Sequence, residues 1–513
     1  MIGSPARLTR GERGGLGAAL ALATVLMVPV RGYLTDDTFI HLQYARHLAA
    51  GQGFVFNTGE PVYGCTSPLW VALLALGMAL GIDGVAWSKV LGGLATLAAV
   101  VLFFQLLRRT VATPAVRIAG TIAWASHAWM ARWSLSGMET PLAVALTLAG
   151  FVAFTSGPYW GSRPARTSVL WALAALTRPE LVLLLLLWGV LLLGETEDRH
   201  SLRRLVAGAA PAVLIYGGWL LYARASFGTF WPQTLVAKAA GSTTLAFHVD
   251  NAWRQVRLVG STDGLLAAVL VAGAWAAASV RTRPGRSAAL RWLPWAWVMT
   301  LPALYLARGV PVLSRYLLVL LPVLAWLAWC TVDRGWGQAW PRRAAWFAAA
   351  LAALVVGQNL YVYRSRALPQ VTSFTQALEQ GLIHWGRWFR DHTPPGAQIA
   401  APDIGALGYY SQRRVLDLAG LVTPRMIPYL VRETQEEATA AFRFAAFARP
   451  EFLVDRAARP WRMLEESPYA TSLVPLGTAR MPNLGIARPE PAVYSFYRVD
   501  WAAYDSFRTR GAH

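Results

Sequence analysis

Two adjacent aspartates stand in the stretch Leu34-Thr-Asp-Asp-Thr-Phe-Ile-His-Leu-Gln-Tyr-Ala-Arg46, directly after the first long apolar run of the chain. The stretch has the pattern of a short amphipathic helix, and Thr35 or Asp36 can cap it by accepting backbone N–H bonds that would otherwise go unpaired. Asp37 and His41 are four residues apart, so they lie side by side on such a helix. Two interpretations follow: the aspartates cap an interfacial helix, or they carry chemistry at the edge of a membrane.

The composition of the chain is that of a membrane protein. Hydrophobic residues make up 55% of the 513 and charged residues 14%, whereas a soluble domain carries about a quarter charged residues. Apolar runs of about 18 residues recur through the first two thirds, as transmembrane helices require. The first run, Leu16 to Val30, lacks a small-residue cleavage site, which indicates a retained span rather than a signal peptide.

The basic residues indicate membrane orientation rather than nucleic-acid binding. The formal net charge is +20, but the basic residues are mostly arginines in short connections between apolar runs, as the positive-inside rule describes. A compact basic stretch with interleaved aromatic residues is missing from the sequence, which argues against nucleic acid as a partner. The two cysteines, Cys65 and Cys330, give no disulfide framework and have no metal-ligand spacing.

Apolar runs and charged connections together predict the membrane topology. The runs are 15–33, 68–82, 85–107, 116–133, 140–156, 167–177, 179–194, 204–223, 263–280, 290–307, 312–330 and 342–362. Three arginines within residues 1–14 hold the N-terminus in the cytoplasm, and five short basic connections face the same side. The run 68–82 corresponds to about 22 Å of helix against a ~30 Å hydrocarbon core, so it does not cross completely. Eleven spans follow. A rival count lets 68–82 cross and merges 167–194 into one Pro-broken helix, but it places Arg108 and Arg109 outside.

The chain changes character near residue 365, where polar residues become more frequent and apolar runs shorten. Strand-like pieces at Gln398–Ala401, Glu451–Asp455 and Val493–Val499 alternate with helical patterns at Thr375–His392 and Thr434–Ala448. This alternation predicts an α/β domain of roughly 150 residues. The sequence thus predicts an α-helical polytopic membrane protein with a transmembrane domain at 15–364, a first outer loop at 34–67, and a soluble extracytoplasmic domain at 365–513.

With this topology, ionisable residues collect on the outer side of the membrane. They are Asp36, Asp37, His41 and Glu60 in the first outer loop, Glu139, Arg178 and Glu180 in later connections, Lys238, and Arg315 beside Tyr316. Ionisable groups at membrane depth are expensive, and they indicate a functional site. Carboxylates and cations on one face favour an acid-lined pocket beside a phosphate site, which suits transfer from an anionic lipid donor.

Each of these residues also has a structural interpretation. Glu139 suits the first turn of a helix, where the dipole favours negative charge. Arg178 and Glu180 can pair across a Pro-broken hairpin. Lys238 and Arg315 can extend to the lipid headgroups.

Motifs in the first loop and beyond it follow a fixed order. They are Asp36-Asp37-x3-His41, Tyr44-Ala-Arg46, Gly51-x-Gly-Phe54, Asn57-x-Gly-Glu60, Thr66-Ser-Pro-Leu-Trp70, Ser136-Gly-Met-Glu-Thr-Pro141, Leu176-Thr-Arg-Pro-Glu180, Lys238, Ser314-Arg-Tyr316, Asp403-Ile-Gly-Ala-Leu-Gly-Tyr-Tyr-Ser411 and Val415-Leu-Asp-Leu-Ala-Gly-Leu421. From about residue 30 to 425, this set resembles the GT-C glycosyltransferases, and is most similar to their bacterial terminal arabinofuranosyltransferase and protein mannosyltransferase-like members. Two positions depart from the pattern: Gln233 stands where the family suggests Asn, and Leu235-Val236 replace aromatic residues.

The resemblance implies an integral-membrane enzyme of the inner (plasma) membrane that moves a sugar from a polyprenyl-phosphate donor to a hydroxyl acceptor on the outer face. Asp36 or Asp37 is then the base that deprotonates the acceptor, an effect typically worth 10²–10⁴-fold. Direct displacement inverts the anomeric configuration. Cations hold the departing lipid phosphate, and the candidates are Lys238, Arg315 and Arg178. The candidates for substrate binding are His41, Glu60, Glu139, Glu180 and Tyr316.

Several alternatives stay open at this point. A divalent cation, Mg²⁺ or Mn²⁺, held by Asp37, His41 or Glu139 fits the preference of hard cations for carboxylate oxygens, yet some GT-C enzymes use a metal and others do not. The transferred sugar, and whether the acceptor is a glycan, a lipid or a protein, are not indicated. Asp403 and Asp417 help to select the acceptor or, as we favour, end strands.

The competing functions are a non-enzymatic membrane protein and a ligase that uses a diphosphate-linked donor. A carrier, or a scaffold for envelope or motility machinery, represents the first class. A carrier should bury charges along many helices and often has two related halves, whereas here the charges gather in the predicted outer loops. A diphosphate-dependent ligase would lack the early Asp-Asp loop combined with a large C-terminal domain.

Overall fold

The structure is a computed structural model that describes residues 7–157, 160–194, 199–233, 244–278, 289–337, 341–482 and 491–510. The helices of its first half are α1 (Arg10–Met27), α2 (Asp36–Ala49), α3 (Pro68–Ala79), α4 (Gly84–Thr110), α5 (Pro114–Ala125), α6 (Ala128–Ser134), α7 (Thr140–Phe154), α8 (Pro164–Ala175), α9 (Val182–Leu193), α10 (Arg199–Ala212) and α11 (Gly218–Phe227). Those of its second half are α12 (Leu245–Ala278), α13 (Leu293–Ala307), α14 (Ser314–Leu317), α15 (Leu321–Val332), α16 (Pro341–Val362), α17 (Leu368–Leu378), α18 (His384–His392), α19 (Gly405–Ser411), α20 (Ile427–Leu430), α21 (Gln435–Ala440), α22 (Arg462–Glu466) and α23 (Trp501–Arg510).

The chain divides into two compact units. The helical unit contains Met1–Arg31, Ser88–Leu220 and Thr243–Pro369, and the mixed unit contains Gly32–Trp87, Leu221–Ser242 and Gln370–His513. The mixed unit thus combines the predicted first loop with the C-terminal region, although more than 280 residues separate the two in sequence. The two units are described separately below.

The structure shows a multi-pass membrane protein by the length and apolar character of its helices. Among the described residues, the helices long and apolar enough to cross a membrane are Arg10–Val30, Gly84–Thr110, Leu205–Phe227, Leu245–Ala274 and Arg342–His392. Shorter apolar helices cover Pro68–Ala79, Thr140–Phe154 and Pro179–Leu193. The 12 residues of α3 extend about 18 Å, less than the hydrocarbon core. Eleven spans and the orientation of the termini stay predictions.

The helical unit departs from the predicted apolar runs at two places. The run 116–133 is split into α5 and α6, because His127 accepts the N–H of Met130 and faces Asp263 at 3.0 Å. The polar side chain thus replaces a helical hydrogen bond inside an apolar segment. The segment between the predicted runs 204–223 and 263–280 is helical from Leu245 onward, since α12 begins there and continues unbroken to Ala278.

Aromatic rings fill part of the core of the helical unit. Phe151 lies 5.2 Å from the ring centre of Trp171 and 5.6 Å from that of Trp326. Both tryptophans are fully buried. Gly150 permits this packing, because a Cβ there would lie 2.1 Å from Nε1 of Trp171. Helices α7, α8 and α15 are therefore fixed together by ring contacts that leave no room for a side chain at position 150.

A five-stranded sheet forms the centre of the mixed unit. Its strands are β1 (Gln398–Ala401), β2 (Arg414–Asp417), β3 (Phe452–Ala457), β4 (Leu473–Met481) and β5 (Ala492–Val499), and their order is β2-β1-β3-β5-β4. Strand β1 pairs in parallel with β2 and β3, whereas β5 pairs antiparallel with β3 and β4. Buried Leu416, Leu453 and Tyr497 belong to the same apolar core on this sheet. The predicted α/β domain is confirmed.

The sequence prediction of this domain finds three of the five strands. Those predicted coincide with β1 and overlap β3 and β5, while β2 and β4 were not predicted. Strand β4 has a register shift between Pro475 and Gly477, which disrupts the alternation on which strand prediction depends. The predicted helix Thr434–Ala448 is broken at Phe442, whose φ of 50° is left-handed. Helical structure does cover the predicted segment Thr375–His392.

Candidate functional site

Helix α2 of the mixed unit begins with its own cap, and that cap is Thr35. The Thr35 hydroxyl accepts the N–H of Thr38, and the Thr38 hydroxyl accepts the N–H of Thr35, each at 3.3 Å. This reciprocal arrangement is a capping box. Of the two caps that the sequence allows, Thr35 is therefore the one used, and Asp36 and Asp37 occupy the first turn of the helix without capping it.

The carboxylate of Asp36 instead binds the start of α19. Its Oδ2 accepts the N–H of Gly405 at 2.9 Å, and its Oδ1 accepts the N–H of Ala406 at 2.8 Å. Burial and the nearby negative charge of Asp403 raise the pKa of Asp36 to about 7, although the two backbone donors act in the opposite direction. A carboxylate with this pKa is half protonated near neutral pH, as suits a general base.

Asp403 lies next in a chain of polar contacts. Its Oδ2 accepts hydrogen bonds from Nη1 of Arg456 at 2.5 Å and from the hydroxyl of Tyr494 at 2.6 Å. Burial and the charge of Asp403 raise the pKa of Tyr494 well above its ordinary value, so this phenol stays a donor. Arg456 thus offsets the negative charge of Asp403.

Asp37 and His41 are one helical turn apart on α2, as predicted. Asp37 is half-buried, and His41 is buried at 6% exposure. His41 therefore reaches solvent much less than its neighbour. Their roles in acceptor or metal binding stay predictions.

Glu60 lies in a network that joins the first loop to β2. It accepts a hydrogen bond from Nδ2 of Asn57 at 2.8 Å and forms an ion pair with Arg414. The Asn57 amide also pairs with both backbone groups of Val415, donating to its carbonyl at 2.8 Å and accepting its N–H at 3.1 Å. Asn57 thus continues the hydrogen-bonding pattern at the edge strand. The contacts of Glu60 are with the protein itself, and its predicted role in substrate binding stays a prediction.

Asp417 closes a turn after β2. Its carboxylate accepts the N–H groups of Ala419 at 2.8 Å and of Val422 at 2.9 Å, and the side chain is fully buried. Burial raises its pKa to about 6. This geometry is that of a turn-forming aspartate, in agreement with the structural interpretation that the sequence favours.

The helical unit brings together Glu139, Arg178 and Glu180. Nη1 of Arg178 donates to Oε1 of Glu139 at 2.7 Å, and its Nε donates to Oε1 of Glu180 at 2.6 Å. The hydroxyl of Tyr305 also donates to Oε1 of Glu180, at 2.8 Å. Arg178 and Glu139 are buried at 6% and 3% exposure. The predicted Arg178–Glu180 pair is therefore present, and it extends to a third charged residue.

Aromatic rings connect this ion cluster to Arg315. The guanidinium of Arg178 lies 5.1 Å from the ring centre of Tyr316, and that of Arg315 lies 5.4 Å from the same ring. Arg315 also lies 5.5 Å from the ring of Trp133, whose Nε1 donates to the Ser314 hydroxyl at 2.9 Å. An aromatic face attracts a guanidinium without neutralising its charge.

The charges of this cluster suit an anion. Arg178, with Glu139 and Glu180, leaves one net negative charge, while Arg315 and the buried Arg132, 5.4 Å from the Trp133 ring, add two positive charges. The sum is one net positive charge within a buried region. In addition, Oε2 of Glu139 and Oγ1 of Thr140 are buried and have no hydrogen-bond partner in the described part of the chain. The cluster thus offers both charge and acceptor atoms to a bound molecule.

Two of the predicted features receive no structural support. Lys238 lies outside the described residues. Among the residues that are described, no three His, Cys, Asp or Glu side chains lie together as a metal site requires, and Oε1 of Glu139 is taken by Arg178. These donors do not fit a metal centre, and metal use stays a prediction from the resemblance.

Sequence reasoning missed several residues of the two clusters. In the helical unit they are Arg132, Trp133, Tyr305 and Ser314, and in the mixed unit they are Arg456 and Tyr494. Ser314 stands within a quoted motif and Trp133 three residues before another, so the signal was present in part. Tyr305 sits within a uniformly apolar run, and Arg456 and Tyr494 become relevant only through the pairing of β3 with β5.

Comparisons with known proteins agree with this architecture. A family model described as "Domain of unknown function (DUF8728)" matches residues 371–502. The terminal beta-(1->2)-arabinofuranosyltransferase of Corynebacterium glutamicum is 28% identical over 248 residues, which cover 41% of this chain and 34% of that relative. The chain thus matches about a third of the length of this curated relative.

Solved structures share the fold over most of the chain. ArnT from Cupriavidus metallidurans, bound to undecaprenyl phosphate, superposes with a TM-score of 0.57 at 13% identity and covers 94% of this chain and 98% of its own. The archaeal oligosaccharyltransferase AglB from Archaeoglobus fulgidus, in complex with an inhibitory peptide and a dolichol-phosphate, gives 0.53 at 11% identity, with coverages of 87% and 70%. At these identities the likeness concerns the fold. The chain thus shares the fold of these membrane enzymes, and over 41% of its length it is similar to a terminal arabinofuranosyltransferase.

Proposed function

We propose that this protein transfers a glycosyl group from a polyprenyl-phosphate sugar to a hydroxyl group of an acceptor. The similarity to a terminal arabinofuranosyltransferase supports glycosyl transfer. The shared fold of ArnT bound to undecaprenyl phosphate and of AglB in complex with dolichol-phosphate supports a lipid-phosphate donor. The sugar itself stays open among pentoses and hexoses.

The reaction requires a base, and the aspartate pair supplies it in this proposal. The acceptor oxygen forms a bond to the anomeric carbon while the bond between that carbon and the phosphate oxygen breaks. The proton of the acceptor hydroxyl passes to Asp36 or Asp37, and the electron pair leaves with the lipid phosphate. Displacement in one step inverts the anomeric configuration.

Asp36 is the better placed of the two for proton transfer. Its two oxygens are oriented by the N–H groups of Gly405 and Ala406, and its pKa of about 7 matches the working pH of most enzymes. Each carboxylate oxygen has a second lone pair with which to accept a proton. Asp37 then orients the acceptor, and the reverse assignment is the alternative.

The departing phosphate requires cations, and arginines are the first candidates in this proposal. Arg315 lies over the rings of Trp133 and Tyr316, which leave its positive charge in place. Arg178 is held by two carboxylates, so its share of phosphate binding is smaller, and Lys238 is a third candidate from the sequence. Fixed cations stabilise a leaving anion without the cost of reorganising solvent.

We place the reaction on the outer face of the inner membrane, with the N-terminus in the cytoplasm. The distribution of arginines in the sequence supports this orientation. A reporter fused to either terminus would test it, because a periplasmic reporter at residue 513 and a cytoplasmic one at residue 1 are expected.

The observation that carries the proposal is the environment of Asp36. Two backbone donors orient its half-buried carboxylate, and burial together with the charge of Asp403 raises its pKa. The experiment uses purified protein with polyprenyl phosphates that carry arabinose, mannose or aminoarabinose, and an envelope-glycan fraction from cells lacking the protein as acceptor. Release of polyprenyl phosphate from one of these donors is expected for the wild type. Asp36→Ala and Asp37→Ala should bind the same donor without releasing it. Full turnover by both variants would contradict the proposal and favour a role for the pair in structure alone.

A further inference from the structure

The mixed unit contains a cavity of about 450 Å³ at the end of α2 that lies farthest from the aspartate pair. Its lining comes from two parts of the chain: the segment 43–58 and the turn between α19 and β2. The volume falls in the range of ligand sites, ~300–1,000 Å³. Since Gln43, the first lining residue, follows Asp36 by seven residues of helix, the cavity begins about 10 Å along the helix axis from that aspartate.

The cavity is cationic. In the described part of the chain, its lining includes Arg46, Arg413 and Arg414 and contains no Asp or Glu. Burial lowers the pKa of His47, which also lines the cavity, so this imidazole adds little positive charge. The carboxylate of Glu60 pairs with Arg414 from outside the lining, so an excess of positive charge is left. Guanidinium groups match carboxylate and phosphate groups in geometry as well as in charge.

Amides alternate with these cations. The lining contains Gln43, Gln52, Asn57 and Gln412, together with the hydroxyl of Thr58. Each amide offers donors and an acceptor, which is the combination that the hydroxyl groups of a sugar require. The lining therefore suits a saccharide that carries an anionic group better than it suits a bare anion.

Internal hydrogen bonds fix the walls of the cavity before any ligand binds. Nε2 of Gln43 donates to the carbonyl of Phe56 at 3.2 Å. Nη1 of Arg46 donates to the carbonyl of Tyr409 at 2.9 Å. Arg413 donates to the carbonyls of Arg390 and Thr393, both at 2.7 Å. Its Nε and Nη1 donate to Thr393, Ser411 and Gln412, so Arg413 contributes positive charge to the cavity and not free donors. Ordered side chains lose little entropy when a ligand binds.

We propose that this cavity is a binding site for an anionic saccharide, and that it holds a part of the acceptor remote from the reacting hydroxyl. The second half of this statement rests on the proposed function, whereas binding of the saccharide does not. Because one helix carries the aspartate pair at its start and lines the cavity near its end, a saccharide bound here is held in a fixed relation to the proposed base. Such remote binding positions the acceptor for reaction.

The test measures binding of trigalacturonate, a carboxylated trisaccharide, to the purified full-length protein by titration calorimetry, with neutral maltotriose for comparison. Trigalacturonate should bind at least tenfold more tightly than maltotriose. Gln52→Glu places a negative charge in the exposed rim and should weaken trigalacturonate binding on the order of tenfold or more, as expected for one like charge near water. Arg414→Gln should weaken it several-fold.

Arg459→Gln is the matched control, because Arg459 is also exposed and paired with a glutamate, but it lies outside the cavity. It should bind trigalacturonate like the wild type. Unchanged affinity in Gln52→Glu would overturn the inference. The inference would also be overturned if the protein did not bind trigalacturonate but bound dihexanoyl phosphatidylglycerol, and if Gln52→Glu weakened that lipid binding. The cavity would then recognise a lipid headgroup.

Failure of this inference can be told apart from failure of the proposed function. Asp37→Ala should bind trigalacturonate like the wild type whatever its activity, so binding without any transfer by the wild type would contradict only the proposed function. If Gln52→Glu transfers the sugar with an unchanged KM for the acceptor, only the proposal that the cavity binds the acceptor would be overturned.

Discussion

The carboxylate of Asp36 accepts the backbone N–H of Gly405, a residue 369 positions further along the chain. The contact is so close that a Cβ at position 405 would lie 1.9 Å from the backbone oxygen of Asp36. Gly405 is therefore required for close approach, not for an unusual backbone angle. Gly405 and Asp36, which are far apart in sequence, thus pack directly against each other in the mixed unit.

The first prediction concerns Gly405→Ala. The added methyl group cannot fit without moving α19 away from Asp36, so the variant should lose about 1–3 kcal/mol of stability and most of its transfer activity. Thermal unfolding in detergent and release of polyprenyl phosphate measure the two effects. Gly396→Ala is the control, because a Cβ there meets nothing within 4 Å, and it should behave like the wild type. Equal behaviour of the two variants would show that the close contact is not present.

The second prediction concerns the pH dependence of stability. The pKa of Asp36 is raised from the ordinary 3.8 to about 7, so the folded chain binds this proton more tightly than the unfolded chain does. The stabilisation from this group is fully present below pH 4 or so and is lost as the pH rises through about 7. The melting temperature of the wild type should fall between pH 5 and 8, with Asp417 contributing in the same direction.

Asp36→Asn should reduce that fall, because an amide does not titrate. Glu466→Gln is the control, since Glu466 is exposed and its pKa is lowered by the hydrogen bond from Arg459. It should keep the slope of the wild type between pH 5 and 8. The same slope in all three proteins would mean that Asp36 titrates near its ordinary value.

The third prediction distinguishes a structural role of Arg178 from a role of Arg315 in binding the lipid phosphate. Arg178→Gln leaves Glu139 and Glu180 buried without their cation, so the variant should lose about 3–5 kcal/mol of stability. Arg315→Gln should instead weaken binding of polyprenyl phosphate roughly 10- to 100-fold, the equivalent of one charge-assisted hydrogen bond. Arg308→Gln, an exposed arginine at the end of α13, should change neither quantity. Loss of lipid binding in Arg178→Gln alone, with stability unchanged, would reverse the two assignments.

The fourth prediction concerns the junction between the first loop and β2. Asn57→Ala leaves the buried N–H and carbonyl of Val415 without a partner and should cost about 1–3 kcal/mol. Glu60→Gln weakens an ion pair with an exposed arginine, which is worth about 1 kcal/mol or less. Stability should therefore separate the two variants, and an increase in the KM of Glu60→Gln would support its predicted role in substrate binding. A larger loss of stability in Glu60→Gln than in Asn57→Ala would contradict this interpretation of the network.

The sequence predicts the membrane class, the α/β character of the C-terminal region and the residues around which the clusters form. Glu139, Arg178, Glu180 and Tyr316 stand in three separate motifs, and the structure brings them into contact. These residues could be identified from the sequence because ionisable groups are rare in an apolar chain, and one at membrane depth requires a partner or a function.

Other features depend on long-range packing, which a single sequence does not display. Asp36 has ordinary neighbours in sequence, and its raised pKa comes from burial and from Asp403, far away along the chain. Gly405 and Gly408, in the motif that begins at Asp403, admit Asp36 and Phe56, whose atoms would lie 1.9 and 2.7 Å from a Cβ at those positions.

The central claim is that an aspartate of the pair at the start of α2 is the base for glycosyl transfer. The most direct measurement is the pH–rate profile of polyprenyl-phosphate release by the wild type, Asp36→Asn and Asp37→Asn under the same conditions. Activity of the wild type should rise with pH through about 7, Asp36→Asn should be reduced by about 10²–10⁴-fold, and Asp37→Asn should keep the same pH dependence at a lower rate. Turnover by Asp36→Asn and Asp37→Asn at the wild-type rate, with an unchanged profile, would contradict the claim.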